Sequence, residues 1–151
     1  MVWGCVTSWG LGRMCQIHGN MDANLYTQIL DEEFLPTLDD LGIIKSDIYF
    51  QQDNDPKHTS KLSKLWFKKK KVDKLDWPPS SPDMNIIEHI WDYLDRRVRT
   101  RNPLPTNVDQ MWAALWEEWC WIEQSYIDTL YESMLERVQA LIKAKGGYTK
   151  Y

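Results

Sequence analysis

The chain has 151 residues, 43% hydrophobic, 26% charged and 13% aromatic, and a net charge of −4. That suits one globular domain with a sizeable core, and it excludes disordered and fibrous classes while leaving little room for two full domains. No apolar run approaches the roughly 20 residues of a membrane span, and the opening MVWGCVTSWG lacks the basic start and long apolar stretch of a signal peptide, which places the chain inside a cell.

Val2 to Trp9 alternates and is rich in Val, Thr and Trp. Gly10-Leu11-Gly12 and a second run, Met14 to His18, complete a hairpin signal. Asp22 is placed as the N-cap of a helix whose Tyr26, Ile29, Leu30 and Phe34 recur at helical spacing until Pro36. Ile48-Tyr49-Phe50 reads as a short buried strand delivering Gln51, Gln52 and Asp53 at its C-terminal end. Thr59 or Ser60 caps a second helix, with Leu62, Leu65 and Trp66 inward and the lysines outward.

Val72 to Trp77 reads as one more strand, and Pro78-Pro79-Ser80-Ser81-Pro82 as an extended loop of fixed shape. A third helix follows, with the stripe Ile87, Ile90, Trp91, Leu94 and Val98, and runs to Thr100. From Thr106 to Lys145 the chain is helical. Val108, Met111, Trp112, Leu115, Trp116 and Trp119 make one stripe there; Ile127, Leu130, Tyr131, Met134, Val138 and Leu141 make another. Strands and helices alternate, so the class is α/β with a helical C-terminal part.

Cys5, Cys15 and Cys120 lie far apart without a C-x-x-C pair, which argues for small buried residues over a disulfide framework or zinc site. The charge is segregated: residues 57–74 carry +7 and the rest −11. A lysine run of this kind is either a solvated helix face or a phosphate-contacting surface.

Two polar segments stand where elements begin and end: QQDNDPKHTS, residues 51–60, and LDWPPSSPDMNIIEHIW, residues 75–91. A hard divalent cation such as magnesium takes oxygen ligands, usually one or two carboxylates with water and substrate phosphates. Asp53 at a strand end and Glu88 in the first turn of a helix are the candidate pair, with 34 residues between them. Each has a plainer alternative. Glu88 with Asn85 forms a capping-box-like pair, Asp53-Asn54-Asp55 before Pro56 suits an Asx turn, and His58 suits a structural histidine. Asp92, one helical turn beyond Glu88, reads as a solvent-facing or salt-bridging residue.

Taken together, QQDNDPKHTS and LDWPPSSPDMNIIEHIWDYL resemble the second and third catalytic motifs of mariner-superfamily transposases of the Tc-like branch. The 34-residue interval is a hallmark of that family and assigns Asp53 and Glu88. VWGCVTSWGLG and RVQALIKAKGGYTKY resemble further parts of the same domain, so the resemblance covers residues 1–151.

The resemblance implies a ribonuclease-H-like fold, a mixed sheet flanked by helices, holding two magnesium or manganese ions on an Asp-Asp-Glu triad for two-metal phosphoryl transfer. Asp53 and Glu88 would be both catalytic residues and metal ligands. Lys57, His58, Lys61, Lys64, Lys68, Lys69, Arg96 and Arg97 would contact nucleic acid, with Arg99 and Arg101 nearby. The implied partners are transposon-end and target DNA, with self-association as a homo-oligomer left open and no membrane. The family implies nuclear localisation, to which the tetralysine Lys68 to Lys71 adds a weak import signal.

The sequence departs from the family pattern in four places. The first catalytic Asp, expected on a central strand before VWGC, has no counterpart, nor does the N-terminal helix-turn-helix region. The expectation is therefore an N-terminally truncated catalytic domain, inactive alone. Asp22, Asp31, Asp39, Asp40 and Asp47 are the nearby acids, and none has the flanks of that strand. Ile86 stands where proline is usual at the first helical position, and Leu135-Glu136 where Pro-Arg is common, which lets the last helix run on unbroken. A non-catalytic nucleic-acid-binding module and an unstable transposon relic are the competing readings.

Overall fold

The computed structural model describes residues 1–78, 81, 84–145 and 147. The chain forms two compact units: Met1–Thr7 with Leu11–Ser81, and Ser8–Gly10 with Pro82–Tyr151.

In the first unit, strands β1 (Val2–Thr7) and β2 (Gly10–Gln16) pair as the predicted hairpin. Its open end closes through Ile17 N donating to the Met1 carbonyl at 2.8 Å. Helix α1 (Ala23–Ile29) starts where Asp22 accepts from Leu25 N at 2.8 Å, the expected cap. The helix does not stop at Pro36. A π-helical turn, Leu30–Phe34, leads into α2 (Leu35–Asp40), with Pro36 in its first turn. The N-terminal turn of an α-helix has no intrahelical use for the N–H that proline lacks, and the wider turn before it relieves the ring's clash with the preceding carbonyls.

Phe50 and Lys74 form one parallel bridge: Phe50 N donates to the Asp73 carbonyl at 2.8 Å and Leu75 N to the Phe50 carbonyl at 3.0 Å. The two expected strands are thus reduced, among the described residues, to this single pairing, and parallel and antiparallel pairing coexist. Helix α3 (Lys61–Lys70) makes the connection, capped by Ser60, whose Oγ accepts from Ser63 N at 3.0 Å.

The inward face of α3 differs from expectation. Ser63, Trp66 and Phe67 are buried, while Leu62 and Leu65 are exposed. Two neighbouring aromatics bury more area than two leucines. Ser63 is cheap to bury because its Oγ donates to the Lys57 carbonyl at 2.6 Å and sits 2.9 Å from Ser60 Oγ. Trp66, Phe67 and Val72 join Tyr26, Leu30, Phe34 and Leu38 in one core, with Phe34 edge-on to Phe50 at 4.7 Å.

Lys71 ends α3 in the left-handed conformation, φ 55°, where a side chain is strained. Lys71→Gly is expected to raise stability by about 0.5–1 kcal/mol, read as a shifted urea midpoint with unchanged slope.

Cys5 and Cys15, on the two hairpin strands, are partly covered, and burial pushes both thiols up to about 11. The neutral thiol is the form the fold accommodates. Its stabilising contribution is complete below pH 9.0 and is lost as pH rises towards about 11, because the unfolded chain ionises first. Cys120 is exposed. Iodoacetamide at pH 8 should alkylate Cys120 first and leave Cys5 and Cys15 largely unmodified, checked by peptide mass spectrometry; equal labelling would contradict this burial.

In the second unit, α4 (Ile86–Arg99) packs against α5 (Val108–Cys120) and α6 (Gln124–Lys143). Ile86, Ile90, Leu94 and Val98 are buried, Trp91 stacks on Trp119 at 5.6 Å, and Tyr93 meets Tyr126 at 4.8 Å. On α5 the inward residues are Ala114, Glu118 and Trp119, while Val108, Met111 and Trp116 of the expected stripe are exposed. Glu118 turns inward because Arg97 Nε, at 2.9 Å, and Arg101 Nε, at 3.4 Å, satisfy its carboxylate. Helix α6 runs through Leu135-Glu136 without a break, as the missing proline predicts. No helix among the described residues is long and apolar enough to cross a membrane.

Candidate active-site carboxylates and the basic helix

The parallel bridge at Phe50 and Lys74 sends both segments out at the same end, and Asn54 Nδ2 holds them together there by donating to the Trp77 carbonyl at 2.8 Å. Asp53 lies in that exit. Its side chain is 60% exposed, and its two oxygens are treated differently. Oδ1 lies 2.5 Å from His58 Nδ1 and accepts from Asp55 N at 3.1 Å. Oδ2 accepts no hydrogen bond among the described residues and faces outward as a bare anionic oxygen. The expected Asx turn is therefore present, and it coexists with a carboxylate oxygen available to a ligand.

His58 is held from behind. Its ring lies 4.3 Å from the Tyr26 ring, and its carbonyl accepts from Gln52 Nε2 at 2.9 Å. Tyr26 Oη donates to Gln52 Oε1. Burial, with the Asp53 charge as the lesser cause, pushes the Tyr26 phenol well above its ordinary range, so it remains a donor. Sequence reading did not single out Tyr26 or Gln52 as support. Their signal is the period-two spacing of Phe50 and Gln52, which turns both inward.

Asp55 accepts from Lys57 Nζ and from Lys57 N at 3.0 Å. Partial burial opposes ionisation of Asp55, but these lysine contacts outweigh it and hold the carboxyl below its usual range.

Glu88 is exposed in the first turn of α4. Asn85 occupies the N-cap without a side-chain capping hydrogen bond, so the first half of the capping-box alternative is not made. Asp92, one turn on, pairs with Arg96 at 2.9 Å, as a salt-bridging residue should. His89, beside Glu88, takes a hydrogen bond from Tyr126 Oη on its carbonyl at 3.3 Å and meets Arg137 Nη1 at its ring Nε2. Arg137 is buried, with Nε bonded to Ser133 Oγ at 2.9 Å. The sequence stripe passed over Arg137; Ile127, Leu130, Met134 and Arg137 continue one helical face.

Asp53 and Glu88 fall in different units. Among the described residues, no group of three or more His, Cys, Asp or Glu is arranged to hold a metal ion. The fit to a hard cation is one of donor type: an exposed carboxylate with an unoccupied oxygen in the first unit, and an exposed carboxylate at a helix start in the second.

The basic residues divide into two kinds. Lys61, Lys64, Lys68 and Lys69 are exposed on α3, and none forms an ion pair among the described residues. Lys57, Arg96, Arg97 and Arg99 are each paired within the chain, with Asp55, Asp92, Glu118 and Asp95. Lys70 pairs with Asp31 at 2.5 Å, which ties α3 to the π-helical turn. The loop positions Pro79, Ser80 and Pro82, and the end of RVQALIKAKGGYTKY, lie outside the described residues.

A family model described as DDE superfamily endonuclease matches residues 1–111. Over the whole chain, identity is 42% to the transposable element Tcb2 transposase of Caenorhabditis briggsae and 42% to the transposable element Tc1 transposase of Caenorhabditis elegans; the chain spans 54% of each, about half the length of these curated relatives. The Mos1 transposase catalytic domain, solved with raltegravir and Mn, superposes with a TM-score of 0.87 at 15% identity, covering 99% of this chain and 76% of that one. A Mos1 transposase paired-end complex with the left transposon end gives 0.83, also at 15% identity, covering 99% and 44%. These likenesses make the fold ribonuclease-H-like. The chain belongs to the DDE superfamily of endonucleases, in its Tc1/mariner transposase branch.

Proposed function

We propose that this chain supplies two carboxylates, Asp53 and Glu88, and a DNA-binding helix to a metal-dependent transposase centre that cuts and joins phosphodiester bonds. The observation that carries the reading is Asp53, exposed where the bridged segments end, with one oxygen held and the other bare. Asp53 and Glu88 are the residues that would hold divalent magnesium or manganese. Such an ion, when bound, stabilises charge on attacking and leaving oxygens of an in-line displacement. Asp53 holds its outward oxygen in place, Glu88 presents its carboxylate from a helix start, and exposed Lys61, Lys64, Lys68 and Lys69 hold DNA by its phosphates. Lys57, Arg96 and Arg97, already paired within the chain, are secondary contacts.

The triad that the resemblance implies needs a third carboxylate. Asp22 caps α1, Asp31 pairs with Lys70, Asp39 and Asp40 lie in α2, and Asp47 lies in a single 3-10 turn, so none of them occupies a strand. The 151-residue chain is therefore proposed to bind the ion and DNA without completing cleavage. The relatives' names support transposon-end DNA as partner, self-association and a nuclear site of action. Titration with MnCl2, followed by electron paramagnetic resonance, tests the reading. Asp53→Asn should weaken Mn binding at least about tenfold at unchanged fold, and equal binding by both proteins would overturn it.

A second reading, a DNA-binding module without metal chemistry, is favoured by the four unpaired lysines alone. Retained DNA binding in a chain that binds no Mn would select it.

A further inference from the structure

We infer that His58 is a positioning residue for Asp53: its Nδ1–H fixes Oδ1 of the carboxylate so that Oδ2 is presented, pre-oriented, to a divalent cation. The inference rests on Asp53 being a cation ligand, as proposed above, and adds a role for its neighbour. A 60%-exposed aspartate would ordinarily rotate freely, and ordering it at the moment of binding would cost affinity. Here the ordering is built in. The Nδ1 to Oδ1 distance is 2.5 Å, and Asp55 N donates to the same oxygen at 3.1 Å, so both donors converge on one side of the carboxylate.

A donor to a carboxylate oxygen must carry the proton, which defines the tautomer as Nδ1–H in the neutral ring. His58 Nε2 is then a buried acceptor with no partner in the protein, so the ring faces Asp53 by its only donor. The ring cannot swing away, because Tyr26 covers its face and Gln52 grips its backbone carbonyl while accepting from Tyr26 Oη. Tyr26 and Gln52 are 1% and 7% exposed, which makes this support rigid. The arrangement is the one by which hydrogen bonds behind a metal ligand set its orientation.

The test compares His58→Asn, His58→Gln and His58→Ala with the unaltered chain and Asp53→Asn. Each is titrated with MnCl2 under electron paramagnetic resonance, with a thermal melt of each protein. Asparagine places an amide N–H near the position of Nδ1, whereas glutamine places it near Nε2. His58→Asn should bind Mn within about twofold of the unaltered chain, and His58→Gln and His58→Ala about tenfold more weakly. If Asp53→Asn weakens binding while the Gln and Ala variants bind normally, the positioning role is overturned and the cation site stands. If Asn is as weak as Ala, ring packing and not the hydrogen bond is responsible, which also overturns it. Should His58→Ala fail to melt cooperatively, the Asn and Gln comparison decides. Binding indifferent to Asp53→Asn removes the cation site itself, and the inference with it.

Discussion

Phe34→Ala is expected to lower the free energy of unfolding by about 3–5 kcal/mol, the cost of deleting a buried aromatic ring whose cavity cannot fully collapse. Phe34 is 3% exposed and lies among Phe50, Trp66 and Leu30, on elements that contribute most of the first unit's apolar core. Domains of this size hold only about 5–15 kcal/mol in all, so the loss is a large fraction of the total. Urea unfolding followed by tryptophan fluorescence measures it, and a change below about 1 kcal/mol would contradict the packing described. The consequence reaches the site. Phe34 meets Phe50 edge-on, Phe50 makes the parallel bridge, and Asp53 follows three residues later. The carboxylate is therefore placed by a core contact as well as by His58.

Exchange of Lys61, Lys64, Lys68 and Lys69 together for glutamine should flatten the salt dependence of DNA binding. If each contacts one phosphate, the slope of log affinity against log salt becomes shallower by about 3 to 4, because that many fewer counterions are released. Two proteins that bind alike at 1 M salt would then differ by about a thousandfold at 0.1 M. Gel shift or fluorescence anisotropy across a salt series reads this directly. The same exchange at Arg96 and Arg99 should move the slope less, since each arginine already shares its charge with an aspartate one helical turn away. Equal effects from both sets would show that the four lysines are not the main contact.

Much of this arrangement is legible in the sequence where local chemistry decides. Asp22 and Ser60 cap the helices they were expected to cap, because a short oxygen-bearing side chain ahead of an apolar repeat has few other uses. The hairpin and the buried face of α4 follow from alternation and helical spacing. Competing faces are harder to read. On α3, Leu62-Leu65-Trp66 and Ser63-Trp66-Phe67 are both valid stripes, and only the hydroxyl contacts of Ser63 tip the choice. Arg137 and Glu118 were taken as outward because charge usually is, yet each turns inward towards polar partners from elsewhere in the fold.

The site shows the same division. Asp53, Glu88 and the lysines are visible as residue types at a spacing. The support for Asp53 is not, because Tyr26 lies 27 residues before it and meets His58 only once the core has formed. Gln52 reads as one more polar residue in a polar run until its burial shows that it is a bridge.

The π-helical turn at Leu30–Phe34 also fixes the length of the chain at that place. Tyr26, Leu30, Phe34 and Leu38 recur every four residues, a longer step than the 3.6 of a regular helix, and local underwinding keeps them on one side. Removing one residue from the turn would restore a regular helix but rotate everything after it by about 100°. Thr37, whose Oγ1 accepts from Arg13 N at 2.9 Å, would then leave the hairpin, and Leu38 would leave the core. A segment that looks like an ordinary acidic helix, LDEEF, therefore tolerates substitution at its exposed Asp31 and Glu32 far better than the loss of a single position.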